Sequence, residues 1–163
     1  WCGETHLQKA AYFLQDMLDV PLGFDFILYK HGPFSFDLRD ELTALRADGL
    51  LELEIQPVPY GPKLATTKRS QRLRDRFPKT IGKYEKQMDF VAGRVAGKNG
   101  VVYLERLGAA LYVSKNEQPG ETVEARVKIL TELKPHISED EAQQAMIEID
   151  RLIVEARNQG IVS

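Results

Sequence analysis

Cysteine is nearly absent, with Cys2 the only one in 163 residues. No internal disulfide can form, so the fold rests on burial, and a reducing, cytoplasmic setting is expected. Long apolar runs are also missing: none approaches the ~18 residues a membrane-spanning helix needs, and no signal-peptide pattern is present. There is no Gly-rich phosphate loop, no G-x-S-x-G turn and no paired-carboxylate motif that stands out from ordinary helix surface. Histidine is scarce, and His6, His31 and His136 stand at no metal-ligand spacing from Cys, His, Asp or Glu. Cys2 has no base beside it in sequence. No metal, cofactor or catalytic residue is therefore expected, and the chain reads as non-enzymatic. Overall charge is slight, a formal −2, which neither favours nor excludes nucleic acid. The first residue is Trp1, not Met, and the natural chain is expected to begin upstream.

What is present is periodic. Leu7, Ala10, Ala11, Leu14, Met17 and Leu18 mark a helix over 4–18 with one apolar face, and Thr5 with Gln8 predicts a capping box. Phe24 to Tyr29 predicts a short strand or an extended connector, His31-Gly32-Pro33 a turn, and Ser35 an N-cap for a helix that Gly49 stops. Leu51 to Ile55 alternates apolar and acidic residues, as a half-exposed strand does. A Pro/Gly-rich loop over 57–62 separates it from a second strand over 63–67. Helices follow over 67–76, which ends before Pro78, and over 79–96, 101–113, 121–134 and 138–159. They are broken at Lys98-Asn99-Gly100, by a polar loop over 116–120 and at Pro135, and Ser138 with Glu141 predicts a second capping box. The order helix, strand, loop, strand predicts a mostly helical α+β fold. Its first part, 1–78, is expected to be a winged-helix-like region with a two-stranded wing, and 79–163 a helical extension, either separate or packed as one unit.

Two stretches carry a family resemblance. Thr5-His6-Leu7-Gln8-Lys9-Ala10-Ala11-Tyr12-Phe13-Leu14 resembles the Leu-Gln-Lys helix of Panacea antitoxin-domain proteins and their uncharacterised winged-helix relatives. Tyr29-Lys30-His31-Gly32-Pro33-Phe34-Ser35 resembles their aromatic-Gly-Pro turn, and Leu42 to Leu51 their helix end entering a hairpin. The resemblance covers about residues 4–67; the long helical second half departs from the antitoxin-type pattern. It implies a winged-helix fold, no catalytic residues, and an antitoxin-like or adaptor-like role in binding another protein.

Charge is distributed unevenly. Lys63, Lys68, Arg69, Arg72, Arg74, Arg76, Lys79, Lys83 and Lys86 face only Asp75 and Glu85 in the same stretch. Such a cluster marks nucleic-acid or acidic-partner surfaces, and its plainer reading is a solvated helix face. The candidate phosphate-contacting residues are Lys63, Lys68, Arg69, Arg72, Arg74, Arg76 and Lys79. The helix in the recognition position carries Asp37, Asp40, Glu41 and Asp48, with Arg39 and Arg46 as its only residues of base-reading type. Asp37, Asp40 and Glu41 are accordingly candidates for a protein partner. The aromatics Phe24, Phe26, Tyr29, Phe34 and Phe36 are expected mostly to pack under the Gly-Pro turn. From Glu117 to Glu155 ten carboxylates face four basic residues, a polarity that suits self-association or two solvated faces. The leading expectation is a regulatory module of the transcription-regulator type that binds duplex DNA. The alternative is a protein-binding module, and a homodimer is possible in either case.

Overall fold

The computed structural model describes residues 2–58, 61–96, 100–117 and 120–162. Helix α1 (Glu4–Tyr12) starts at Gly3, and no side chain caps it. The expected Thr5–Gln8 box does not form, because the Gln8 side chain turns inward. Its Nε2 donates to the Ser35 carbonyl and its Oε1 accepts from the Ser35 N–H, both at 2.9 Å. The helix continues from Phe13 to Met17 as a wider, π-type turn that buries Phe13 and Met17.

Strands β1 (Ile27–Tyr29) and β2 (Gly32–Phe34) pair antiparallel, Ile27 opposite Phe34 and Tyr29 opposite Gly32. The reversal falls at Lys30–His31, so Gly32-Pro33-Phe34 is the return strand instead of the predicted turn. Pro33 is tolerated there because a two-stranded ribbon leaves outward-facing N–H groups unpaired anyway. Helix α2 (Phe36–Ala47) is capped by Ser35, whose hydroxyl accepts from the Leu38 N–H at 3.2 Å. It ends where Gly49 takes φ +66, with the Leu50 N–H reaching back to the Leu45 carbonyl at 2.8 Å. Strands β3 (Leu51–Glu54) and β4 (Lys63–Thr66) then form the predicted hairpin, in register from Leu51–Thr66 to Glu54–Lys63. Pro59 and Tyr60 of the expected loop lie outside the described residues.

The rest is helical: α3 (Lys68–Arg74), α4 (Pro78–Phe90, prolonged by a π-type turn through Ala96), α5 (Val101–Tyr112), α6 (Val123–Leu133) and α7 (Glu139–Asn158). Pro78 opens α4 instead of preceding it, since a first-turn position needs no N–H. The break expected at Lys98-Asn99 lies outside the described residues, as do Gln118 and Pro119. The polar loop expected from Asn116 begins later, because α5 carries on through Glu117 as a π-type turn. The Ser138–Glu141 capping box forms as predicted.

One large core joins α1 to the later helices. Tyr12, Phe13 and Met17 pack with Leu104, Leu107 and Leu111 of α5, Leu130 of α6, and Met146, Ile149 and Leu152 of α7. Each such side chain contributes roughly 1.5–3 kcal/mol by burial. Residues from 1–78 and from 79–163 therefore share the same apolar interior. A smaller cluster of Ala11, Leu38 and Leu42 sits between α1, α2 and the second hairpin, with Leu51 and Leu64 against it. Among the described residues the architecture is mostly helical α+β with two two-stranded antiparallel sheets. No helix there is long and apolar enough to cross a membrane.

Candidate nucleic-acid interface

The basic stretch starts where the second hairpin ends. Thr67 caps α3, accepting from the Arg69 and Ser70 N–H groups, while its own hydroxyl donates to the Gly49 carbonyl at 2.7 Å. That bond ties the start of α3 to the end of α2 and the base of the hairpin. Helix α3 buries no residue, and α4 buries only Phe90. Lys68, Arg69, Arg72, Arg74, Arg76 and Lys79 are all exposed.

Their pairing differs from that of four arginines further along the chain. In the later helices Arg94, Arg106, Arg126 and Arg151 hold Glu155, Glu141, Asp150 and Glu148 at 2.9, 2.5, 2.6 and 2.6 Å. No cation from Lys68 to Lys79 has a carboxylate partner among the described residues; Arg72 Nε reaches only the Lys68 carbonyl, at 3.4 Å. Lys63, by contrast, is tied across the hairpin to Glu54 at 3.2 Å. Successive residues of a helix turn by ~100°, so Lys68, Arg69 and Arg72 share one arc of α3. Arg74 falls roughly on the opposite side. The structure thus brings three of the seven predicted cations together on α3, sends Arg74 elsewhere, occupies Lys63, and leaves Arg76 in the turn after α3 and Lys79 in the first turn of α4.

Helix α2 divides its charges. By the same helical rotation, Arg39, Thr43 and Arg46 lie on one flank of the buried Leu38–Leu42 stripe, and Asp37, Glu41 and Asp48 on the other. Asp40 points between the two flanks and pairs loosely with Arg39, at 3.4 Å. Asp37, Glu41 and Asp48 therefore point away from the arginine flank, and Asp40 is the carboxylate of α2 that meets it. On the outer surface Tyr29, Phe34 and Phe36 stack in an edge-to-face cluster with centroids 5.1–5.8 Å apart. Tyr29 is 52% and Phe36 42% exposed. Phe26 alone of this set packs on the large core, 5.0 Å from Tyr12. Phe24 joins the smaller cluster.

The residues that carry the family resemblance meet one another. Gln8 clamps Ser35, and the Lys9 ammonium, 1% exposed, donates to the Pro33 carbonyl at 2.6 Å. Gly32 takes φ +83 and lies so close to α5 that a Cβ there would stand 3.1 Å from the Glu105 carbonyl. Lys134 donates to the carbonyls of Tyr29 and Lys30. The buried Glu105 carboxylate lies 3.0 Å from His136 Nε2 and 3.6 Å from His31 Nδ1. Burial pushes Lys9 down to about 8; Glu105 opposes the shift and Lys134 adds to it. Burial also lowers Lys134, again against Glu105. These polar groups latch the first hairpin to α1, α5 and the α6–α7 link, which is structural work. His31 and His136 share a carboxylate that no sequence spacing disclosed. Burial raises the Cys2 thiol, keeping it far from the reactive thiolate form. Among the described residues no three or more His, Cys, Asp and Glu side chains form a metal-binding group.

No protein-family model matches the chain, and no curated protein matches it.

Proposed function

We propose that this chain is a non-enzymatic regulatory module that binds duplex DNA through its phosphates, using a winged-helix-like α2–β3–β4 unit and the basic helix that follows it. The observation that carries the reading is the run of exposed cations from Lys68 to Lys79 with no carboxylate partner among the described residues, starting on a helix that buries nothing. Cations kept out of ion pairs remain available for phosphates, and such contacts supply affinity with little choice of sequence. Few base contacts are expected, since α2 offers only Arg39 and Arg46.

A duplex titration at two salt concentrations tests this. Four phosphate contacts, by Lys68, Arg69, Arg72 and Arg76, predict a slope of log K against log salt of about −3.6, so affinity falls roughly a hundredfold from 50 to 200 mM. Arg69→Glu with Arg72→Glu should remove most of the binding. Absence of binding at low salt, or binding that ignores this pair, rejects the proposal.

A second reading is favoured by the exposed Tyr29–Phe36 cluster beside Asp37 and Asp40. An aromatic and acidic surface suits a protein partner, in line with the antitoxin-like or adaptor-like role that the family resemblance implies. A stoichiometric protein co-purifying from the native host, lost on Tyr29→Ala with Phe36→Ala, would support it.

A further inference from the structure

Between the start of α1, the arginine flank of α2 and the inner side of the β3–β4 hairpin lies a cleft of about 320 Å³. That volume is at the lower end of small-molecule sites. Its floor is apolar, from Leu42, Leu53, Pro62 and Leu64. Its cations are Arg39 and Arg46, two helical turns apart, or about 10 Å along the axis, within reach of two extended arginine side chains closing on one group. The Arg46 side chain has no ion pair or hydrogen bond among the described residues. Arg39 lies over the Phe36 ring at 5.0 Å and holds Asp40 at 3.4 Å, neither of which lines the cleft, so its fork turns from these exposed contacts to meet a ligand. Glu4 is the one carboxylate lining the cleft among the described residues.

We propose that this cleft binds a small organic phosphate, its phosphate group held between Arg39 and Arg46 and its body laid on the Leu42–Leu53–Leu64 floor. Planar guanidinium forks match a phosphate in two-point hydrogen bonding, which a single ammonium cannot do. An apolar floor under a charged rim selects a ligand with both parts, of which a nucleoside monophosphate is the simplest. The site uses none of the cations assigned to the duplex phosphates, and it takes Arg39 and Arg46, the two residues of α2 that could otherwise read bases. An occupant would wedge between the recognition-type helix and the hairpin, so it would also bear on anything those two elements touch.

Isothermal titration of the full chain with adenosine monophosphate, adenosine and inorganic phosphate tests the proposal. The monophosphate should bind saturably and more tightly than either fragment. Arg39→Gln with Arg46→Gln should weaken it at least tenfold while the circular dichroism spectrum stays unchanged. Arg69→Gln with Arg72→Gln, outside the cleft, should leave it intact, and Glu4→Gln should strengthen it severalfold by removing the rim carboxylate. Failure of the monophosphate to saturate at 10 mM overturns the proposal, as does equal binding by the Arg39/Arg46 variant or inorganic phosphate binding as tightly as the nucleotide.

Discussion

Replacing Gln8 by leucine keeps most of the side-chain volume and deletes both bonds to Ser35. Gln8 and Ser35 are each fully buried, so the Ser35 N–H would lose its 2.9 Å partner with no water to replace it, while the Ser35 carbonyl keeps the Arg39 N–H at 3.2 Å. An orphaned buried group costs about 1–3 kcal/mol, so the variant should lose about 1–3 kcal/mol. Against a total stability of about 5–15 kcal/mol this is substantial. It should lower the melting temperature by roughly 2–12 °C at this chain length. Gln8→Glu sharpens the test. A protonated carboxyl reproduces the amide, accepting from the N–H and donating to the carbonyl; an ionised one sets a second acceptor against that carbonyl. The buried carboxyl therefore has a raised folded-state pKa, and the folded state binds its proton more tightly than the unfolded chain does. Stability relative to wild type is retained near pH 4 and is lost as pH climbs from about 4.3 through the raised value. Urea unfolding followed by circular dichroism from pH 4 to 8 measures both variants. A loss below about 1 kcal/mol for Gln8→Leu would refute the reasoning, as would a Gln8→Glu deficit that does not change with pH.

Other perturbations follow from the same packing. Gly32→Ala combines positive-φ strain of about 1–2 kcal/mol with crowding of the Glu105 carbonyl, for a total of about 2–4 kcal/mol. Gly49→Ala, also at positive φ but with open space around it, should cost only the strain; equal losses in thermal melts would contradict this. Lys9 has a folded value of about 8 against the ordinary 10.5, so between those values the unfolded state binds more protons and this side chain's contribution to stability rises with pH. The wild-type advantage over Lys9→Met should therefore grow from pH 7.5 to 9.5, and a flat difference in chemical unfolding would tell against the buried charge. Arg126 donates to both Asp150 oxygens, at 2.9 and 2.6 Å, and to Ser114 at 2.8 Å. Arg126→Met should cost about 1–2 kcal/mol, since Asp150 is half-exposed. Asp150→Asn should cost little more in that background than nothing, which a double-mutant cycle reads.

Much of the secondary structure was legible because it depends on near neighbours. The Ser35 cap, the left-handed stop at Gly49, the Leu51–Thr66 hairpin and the Ser138–Glu141 box each involve groups only a few residues apart in the chain, or the alternation of a single strand. The one cap misread shows the limit. Thr5 and Gln8 have the right spacing for a box, but Gln8 had a better partner 27 residues away. The cation cluster was legible as composition, whereas the availability of each charge was not. Lys63 is consumed by a cross-strand carboxylate and Arg74 is turned away by helical rotation, while Lys68, Arg69 and Arg72 share one arc.

The chain's local chemistry was enough to specify the helices, the hairpin and the concentration of positive charge after it. Tertiary packing settled what those pieces became. It closed the Leu-Gln-Lys helix onto the Gly-Pro strand, surrounded Glu105 with two histidines from distant segments, and set Arg39 and Arg46 over an apolar floor. The reason is that burial and pairing are properties of surfaces brought together by the fold. Partners some 30 to 100 residues apart leave no spacing for a sequence to display.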